Sequence, residues 1–167
     1  MKRRKTRDPE ETREKLLAAA EAEFNVRGFR ATDTNRIAKR AGYAPQTFYR
    51  HFDDKIAIFV AVYERWWQSE AGAVGDIYLA RGTAGLNQAA DTLIAFHVNW
   101  RGFRRSLRHL AVEEKRVRAA RTKARKAQLA NMRALLPKSR HNDAQIYAWL
   151  LILERLCDAI SDGEFAN

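Results

Sequence analysis

A single cysteine, Cys157, carries all the thiol chemistry the chain possesses. No internal disulfide can form, so folding must rest on burial of apolar surface, and a reducing cytoplasm is the expected setting. Prolines number three and glycines eight in 167 residues, which leaves long stretches with nothing to interrupt a helix. Strand-like alternation is scarce. No apolar run approaches the roughly 20 residues that span a bilayer. The basic start, MKRRKTRDPEE, has no apolar segment behind it, so neither a membrane span nor a secretory signal is expected. A glycine-rich phosphate loop, a cysteine/histidine cluster and a nucleophile–base pattern are also missing. His109 and Glu113 are spaced four apart, as two metal ligands on one helix face would be, but no third ligand accompanies them. The expectation is therefore no enzyme, no metal and no cofactor.

What is present is helix-forming and basic. Hydrophobic residues make up 46% and charged residues 31%, enough for a core and a solvated surface. The net charge of +11 points to a polyanionic partner. It is unevenly spread: residues 1–55 carry +5, 56–100 carry −2, 101–140 carry +12 and 141–167 carry −4. Most of the excess thus lies in residues 101–140.

Periodicity predicts an all-α chain. Asp8 as N-cap, Pro9 at the first position and Glu11 at the third open a first helix that stops near Gly28. A second helix is expected from a Thr32 cap to Ala41, with Gly42 at the left-handed position after it. A third runs from Pro45 to about His51, and a fourth from an Asp53 cap to about Glu70. Residues 71–82, with Gly72, Gly75 and Gly82, read as a loose connector. Further helices are expected over 83–101, 103–115, 116–136 (ended by Pro137) and 142–161, the second and third of these being either separate or one long helix.

The informative stretch is TDTNRIAKRAGYAPQTFYRHFDDK, residues 32–55. Two short helices joined by a tight glycine turn are helix-turn-helix geometry, whose second helix can enter the major groove. Phe48 and Phe52 are four apart and share an inward face. Pro45, Gln46, Tyr49 and Arg50 remain on outward or flanking faces. Gln can bond an adenine edge and Arg a guanine edge or phosphate, while Tyr and Lys reach phosphates. The arm at residues 2–7, KRRKTR, is either an additional DNA contact or a solvated tail.

The motifs TREKLLAAAEAEF, GFRAT, RIAKRAG and TFYRHFDDK, in that order over about residues 10–60, resemble the tetracycline repressor (TetR) family of bacterial regulators. The resemblance implies a three-helix DNA-binding domain joined through helix four to a divergent helical ligand-binding and dimerisation domain. It divides the chain into a basic arm at 1–8, a helix-turn-helix domain at 9–53 and an effector-binding and dimerisation domain at 54–167. Matched residue by residue, it implies DNA contacts at Thr34 and Asn35, reading positions at Gln46 and Thr47, phosphate-side positions at Tyr49 and His51, and a phosphate clamp at Lys55. It also implies a homodimer on a near-palindromic double-stranded operator, repression, and release by a small-molecule effector. Two departures stand out: Ala44 replaces a common Ser or Thr cap, and Ile56 a common acidic residue.

In the body, Ile146, Trp149, Leu150, Leu153, Leu156, Cys157 and Ile160 form one stripe of the last helix, a candidate dimer interface, while Tyr147, Leu151 and Ile152 make its other side apolar too. The family's dimers use the last two helices. This chain ends at Asn167, so either the dimer is built differently or a tail is lacking. Tyr63, Trp66, Trp67, Phe96, Trp100, Phe103, Tyr147 and Trp149, with Thr92 and His97 as polar anchors, are either ordinary core or the lining of an effector pocket. The basic 101–140 region is either a solvated helix face or a site for an anion. The rival function is a non-specific nucleic-acid or acidic-partner binder using that region.

Overall fold

The computed structural model describes residues 8–135 and 140–165, and these are helical throughout, with no strand among them. The KRRKTR arm and Pro137 lie outside the described residues. The helices are α1 (Pro9–Arg27), α2 (Thr34–Arg40), α3 (Pro45–Tyr49), α4 (Lys55–Arg81), α5 (Leu86–Asn99), α6 (Arg101–Glu113), α7 (Lys115–Leu135) and α8 (Asp143–Asp162). No helix among the described residues is long and apolar enough to cross a membrane.

Caps explain most boundaries. Asp8 accepts from the Glu10 amide and Pro9 fills the first turn of α1. The cap of α2 is Asp33, whose Oδ1 accepts from the Arg36 amide at 2.7 Å, rather than Thr32. Thr32 is buried and donates its hydroxyl to Gly28 O at 2.8 Å, which ties the turn down and leaves capping to its neighbour. The same one-residue shift sets α4 after Asp54, which accepts from the Ala57 amide, rather than after Asp53. Asn142 and Gln145 form a reciprocal capping box on α8.

The expected connector at 71–82 does not exist. α4 continues through Gly72 and Gly75 to Arg81, and a 3-10 turn, Gly82–Gly85, then leads into α5. A glycine inside a helix costs about 1 kcal/mol against alanine. Here Val74, Ile77 and Tyr78 are partly buried, and α4 packs along both α5 and α7, which offsets that cost. The break between α6 and α7 is real: Glu114 is extended, with φ −103° and ψ 116°.

One contiguous core joins head and body. Leu16, Ala20 and Phe24 of α1 meet Ile37, Phe48 and Phe52, then Ile58, Phe59 and Val62 of α4, and finally Phe103 and Leu107 of α6. Phe59 stacks on Phe103 at 4.6 Å and edges onto Phe24 at 5.1 Å. α1 and α6 approach closely at Gly102. The cap position of α6 is Trp100, which offers no capping oxygen, and Asn25 of α1 supplies it instead. Its Oδ1 accepts from the Gly102 and Phe103 amides at 3.1 and 3.2 Å, and its Nδ2 donates to Asn99 O at 2.5 Å. Gly102 permits this because a Cβ there would lie 1.8 Å from Asn25 O. Gly102→Ala is therefore expected to destabilise the protein by about 3 kcal/mol, since backbone must move to admit the methyl. Thermal unfolding checks this; an unchanged melting temperature contradicts the contact.

Candidate nucleic-acid interface and ligand cavity

The turn between α2 and α3 is closed by backbone bonds from Gly42 N to Lys39 O and from Tyr43 N to Ala38 O, at 3.1 and 2.9 Å. Gly42 sits at φ +79°, a conformation costly for any residue with a Cβ. Ala44 provides no side-chain cap for α3, and Pro45 begins the helix with its φ already fixed. Phe48 and Phe52 are buried, their rings 5.8 Å apart, as their spacing predicts. A single hydroxyl pair, Thr34 Oγ1 to Tyr49 Oη at 3.0 Å, links the start of α2 to the end of α3.

This packing leaves one polar side outward. Asn35, Pro45, Gln46, Tyr49 and Arg50 are exposed, and Thr34, Thr47 and His51 are half-buried beside them. Lys55 is placed differently. Its Nζ donates to Phe29 O at 2.9 Å and Thr32 O at 2.8 Å and lies 4.1 Å from the Phe29 ring centroid. Burial lowers its pKa, partly offset by Asp33. An ammonium has three donors, so one remains. Lys55 first of all staples α4 to the turn before α2. Glu23 of α1, buried, receives Arg40 of α2 at 3.0 Å, with Arg27 of its own helix at 3.3 Å.

Behind the head, α4, α5, α6, α7 and α8 line a cavity of about 170 Å³ that opens to solvent. Tyr63 and Trp66 give it aromatic walls, Leu93, Leu150 and Leu153 aliphatic ones, and Glu70, His97, Arg104, Arg125 and Glu154 a charged end. That end is organised around Arg104, only 2% exposed. Its guanidinium lies over Trp66 and donates to Asp158 at 3.1 and 3.0 Å and to Glu154 at 2.7 Å. Asp158 also takes His97 Nδ1 at 3.0 Å and Arg108 at 3.0 Å. Burial alone would raise the Asp158 pKa, but the His97 hydrogen bond and the charges of Arg104 and Arg108 outweigh it and bring it to about 2. Burial lowers His97, although its bond to Asp158 opposes this. Burial pushes Glu70 up to about 7 against the pull of Arg104 and Arg125.

Of the sequence-predicted pocket residues, Tyr63, Trp66 and His97 line this cavity; Trp67, Thr92, Phe96, Trp100, Phe103, Tyr147 and Trp149 do not. Phe103 is fully buried in the core, Phe96, Trp67 and Trp100 pack against it, and Trp149 faces outward against His141. Thr92 spends its hydroxyl on Gln88 O. Glu70, Arg104 and Glu154 of the lining were missed, as was Asp158, which pairs with Arg104; Arg125 belongs to the basic region expected to be a solvated face or an anion site. A signal existed: Glu70 continues the Tyr63–Trp66 spacing, and Arg104 interrupts the Trp100–Phe103–Leu107 stripe, so each places a charge on an apolar helix face.

The stripe on α8 divides. Ile146 and Cys157 are buried within the chain, against its own helices, and so cannot belong to a dimer surface. Burial raises the Cys157 thiol to about 11, as suits a core residue. Leu150 and Ile160 are partly covered, Leu150 at the cavity wall. Trp149, Leu151, Ile152, Leu153 and Leu156 are exposed, Ile152 by 63%. The basic region is also less bare than its composition. Arg121 and Arg125 pair with Glu154, Arg105 and Arg108 with Asp162, Arg116 with Asp54, Lys123 with Glu64, and Arg133 with Asp143.

A helix-turn-helix with a free polar face, on a helical body that holds a cavity, is the architecture of a DNA-binding regulator. Residues 16–62 match the family model described as bacterial regulatory proteins, tetR family. The HTH-type transcriptional regulator YdgC of Bacillus subtilis is 47% identical over 49 residues, 29% of this chain and 25% of that protein. The HTH-type transcriptional activator FasR of Mycolicibacterium smegmatis is 41% identical over 56 residues, 34% of this chain and 26% of that protein. The chain thus matches about a quarter of the length of these curated relatives. Its whole fold is shared with a crystal structure of a TetR-family regulator from Rhodococcus sp., at a TM-score of 0.73 and 21% identity, covering 92% of this chain and 89% of that one. The helix-turn-helix segment, residues 16–62, is thus similar to that of the tetR family of bacterial regulators, and the body shares the fold of solved members.

Glu70 sets a pH signature. Its carboxyl is raised in the folded state, so the stability it contributes is complete below about pH 4.5 and lost as pH rises through about 7. Glu70→Gln is expected to be more stable than the wild type at pH 8, by about 1–3 kcal/mol, with the gap narrowing toward pH 5. Denaturant melts at both pH values check this; a gap that widens on acidification contradicts it.

Proposed function

We propose that the protein is a homodimeric, sequence-specific DNA-binding repressor whose grip on its operator is released by a small molecule in the body cavity. The observation that carries the DNA reading is the outward polar side of α3, held rigid by Phe48 and Phe52 beneath it and by the Thr34–Tyr49 bond at its end. Gln46 and Arg50 are positioned for base edges, and Asn35, Thr47 and His51 for flanking base or phosphate contacts. Lys55 keeps one donor for phosphate while it fixes the head on α4.

The exposed apolar side of α8 supports the dimer. Five large hydrophobics on one helix are more than isolated surface residues, and a second copy covers them economically. Two heads would then meet half-sites about one helical turn apart, roughly 34–36 Å or somewhat more, on a near-palindrome.

Coupling between cavity and head has a short route. Arg104 lines the cavity, and two residues earlier Gly102 holds Asn25 of α1; Ser106, two residues later, accepts the Phe29 amide at 3.0 Å. A ligand that binds one placement of α6 better than another shifts the head by that differential affinity. The rival, non-specific reading of the 101–140 region is weakened by its ion pairs, which satisfy much of that charge within the chain.

Gln46→Ala is expected to weaken operator binding by about 1–3 kcal/mol and to relax the preference at one base position, with helicity unchanged. Gel shifts with competitor DNA measure it; equal affinity for operator and bulk DNA in the wild type would sink the reading. Separately, Ile152→Glu should convert a light-scattering dimer to a monomer and lose tight operator binding. A wild type already monomeric at micromolar concentration contradicts the dimer.

A further inference from the structure

We propose that the cavity between α4, α5, α7 and α8 takes a small monocarboxylate, its carboxylate held by Trp66 and Glu70 and its apolar body against Val74, Leu93 and Leu150. This rests on the cavity being an effector site and names the chemistry of what enters it.

Three observations carry it. Two buried side chains in the cavity wall have polar atoms without a hydrogen-bond partner: Trp66 Nε1 and Glu70 Oε2. Trp66 is 3% and Glu70 8% exposed, so neither is answered by bulk solvent. A buried group left unbonded costs about 1–3 kcal/mol, which a ligand bonding both atoms recovers. The indole N–H is a donor only, so the ligand must bring an acceptor.

The second observation concerns the proton. Asp158 is ionised and accepts from His97 Nδ1, which places the His97 proton on that nitrogen and a lone pair on Nε2. Nε2 lies 3.7 Å from Glu70 Oε2. An ionised Glu70 would set its charge against that lone pair between two buried side chains; a protonated Glu70 does not. Burial favours the same form. A protonated Glu70 carboxyl and, one turn earlier on α4, the Trp66 indole N–H offer two donors, the complement of an incoming carboxylate.

Charge balance is the third. The groups facing Glu70 are Arg104 from α6, Arg125 from α7, Asp158 and Cys157 from α8 and His97 from α5, with Tyr63 on its own helix. In the wider network Arg104, Arg108, Arg121 and Arg125 share only Glu154, Asp158 and Asp162, and Arg105 also draws on Asp162. With Glu70 neutral, the site is short of negative charge, and a monoanion supplies it. A void of about 150 Å³ holds a benzene-sized molecule, so a single ring or a short alkyl chain fits within this cavity of about 170 Å³.

The test titrates the protein by calorimetry with hexanoate, hexylamine and hexanol, and with phenylacetate, phenethylamine and phenethyl alcohol, from pH 6 to pH 8. A carboxylate is expected to bind at least tenfold tighter than its matched amine and alcohol. Because Glu70 must keep its proton in the complex, carboxylate affinity should fall about tenfold per pH unit above 7. Glu70→Gln should bind at pH 8 as the wild type binds at pH 6, with a flat profile. Trp66→Phe should bind several-fold more weakly and keep the wild-type pH slope. Preference for an amine, with affinity rising through pH 7, overturns the proposal, as does loss of carboxylate binding in a folded Glu70→Gln protein. If only amines or alcohols bind, the effector-site reading stands and the carboxylate assignment falls. If nothing binds at millimolar concentration, both fall.

Discussion

The charge of Arg104 is the constraint around which the body is built. A guanidinium cannot shed its proton, and one so fully covered is tolerable only when its donors are answered. Asp158 and Glu154, one turn apart on α8, answer them, and Trp66 of α4 covers the guanidinium face. Three helices are thereby held in one arrangement. His97 of α5 joins through the same carboxylate, so the ion network is also the frame of the cavity. A cluster like this adds little net stability against an apolar replacement, because desolvation consumes most of the attraction. What it supplies here is a fixed polar end in an otherwise apolar space.

The same network accounts for the lopsided charge of the chain. The basic excess of 101–140 and the acidic 141–167 are complementary surfaces of one packed unit: α6 and α7 carry the cations, and α8 carries Glu154, Asp158 and Asp162. Regional charge read along the chain thus overstated what faces solvent. The head carries a smaller excess, yet its Asn35, Gln46 and Arg50 stand clear of the rest of the protein.

Legibility in the sequence followed how local the determining forces are. The head was readable almost residue by residue because caps, a glycine turn and the Phe48–Phe52 spacing all act within a few positions. Its errors were single steps, as when Thr32 turned its hydroxyl back to Gly28 and left Asp33 to cap. The body was readable only as helices. Gly72 and Gly75 suggested a break because their cost is local, whereas the packing of α4 on α5 and α7 that outweighs it is not. Aromatics were a poor guide to the cavity for the same reason: Phe103 is buried in the core and Trp100 packs against it, and neither reaches the cavity that Trp66 lines. Charges on apolar faces, Glu70 and Arg104, were the better signal, since burying a charge needs a partner that chance rarely supplies.

The unbroken α4 has a mechanical consequence. Twenty-seven residues at 1.5 Å each make a rod roughly 40 Å long, bonded through Lys55 to the head and bordered by the cavity along its middle. A swivel at Gly72 would let its two halves move independently and dissipate any nudge. A stiff shaft does the reverse: tilting it about its midpoint by only ~5° displaces each tip by roughly 2 Å, comparable to the tolerance of a hydrogen bond to a base edge.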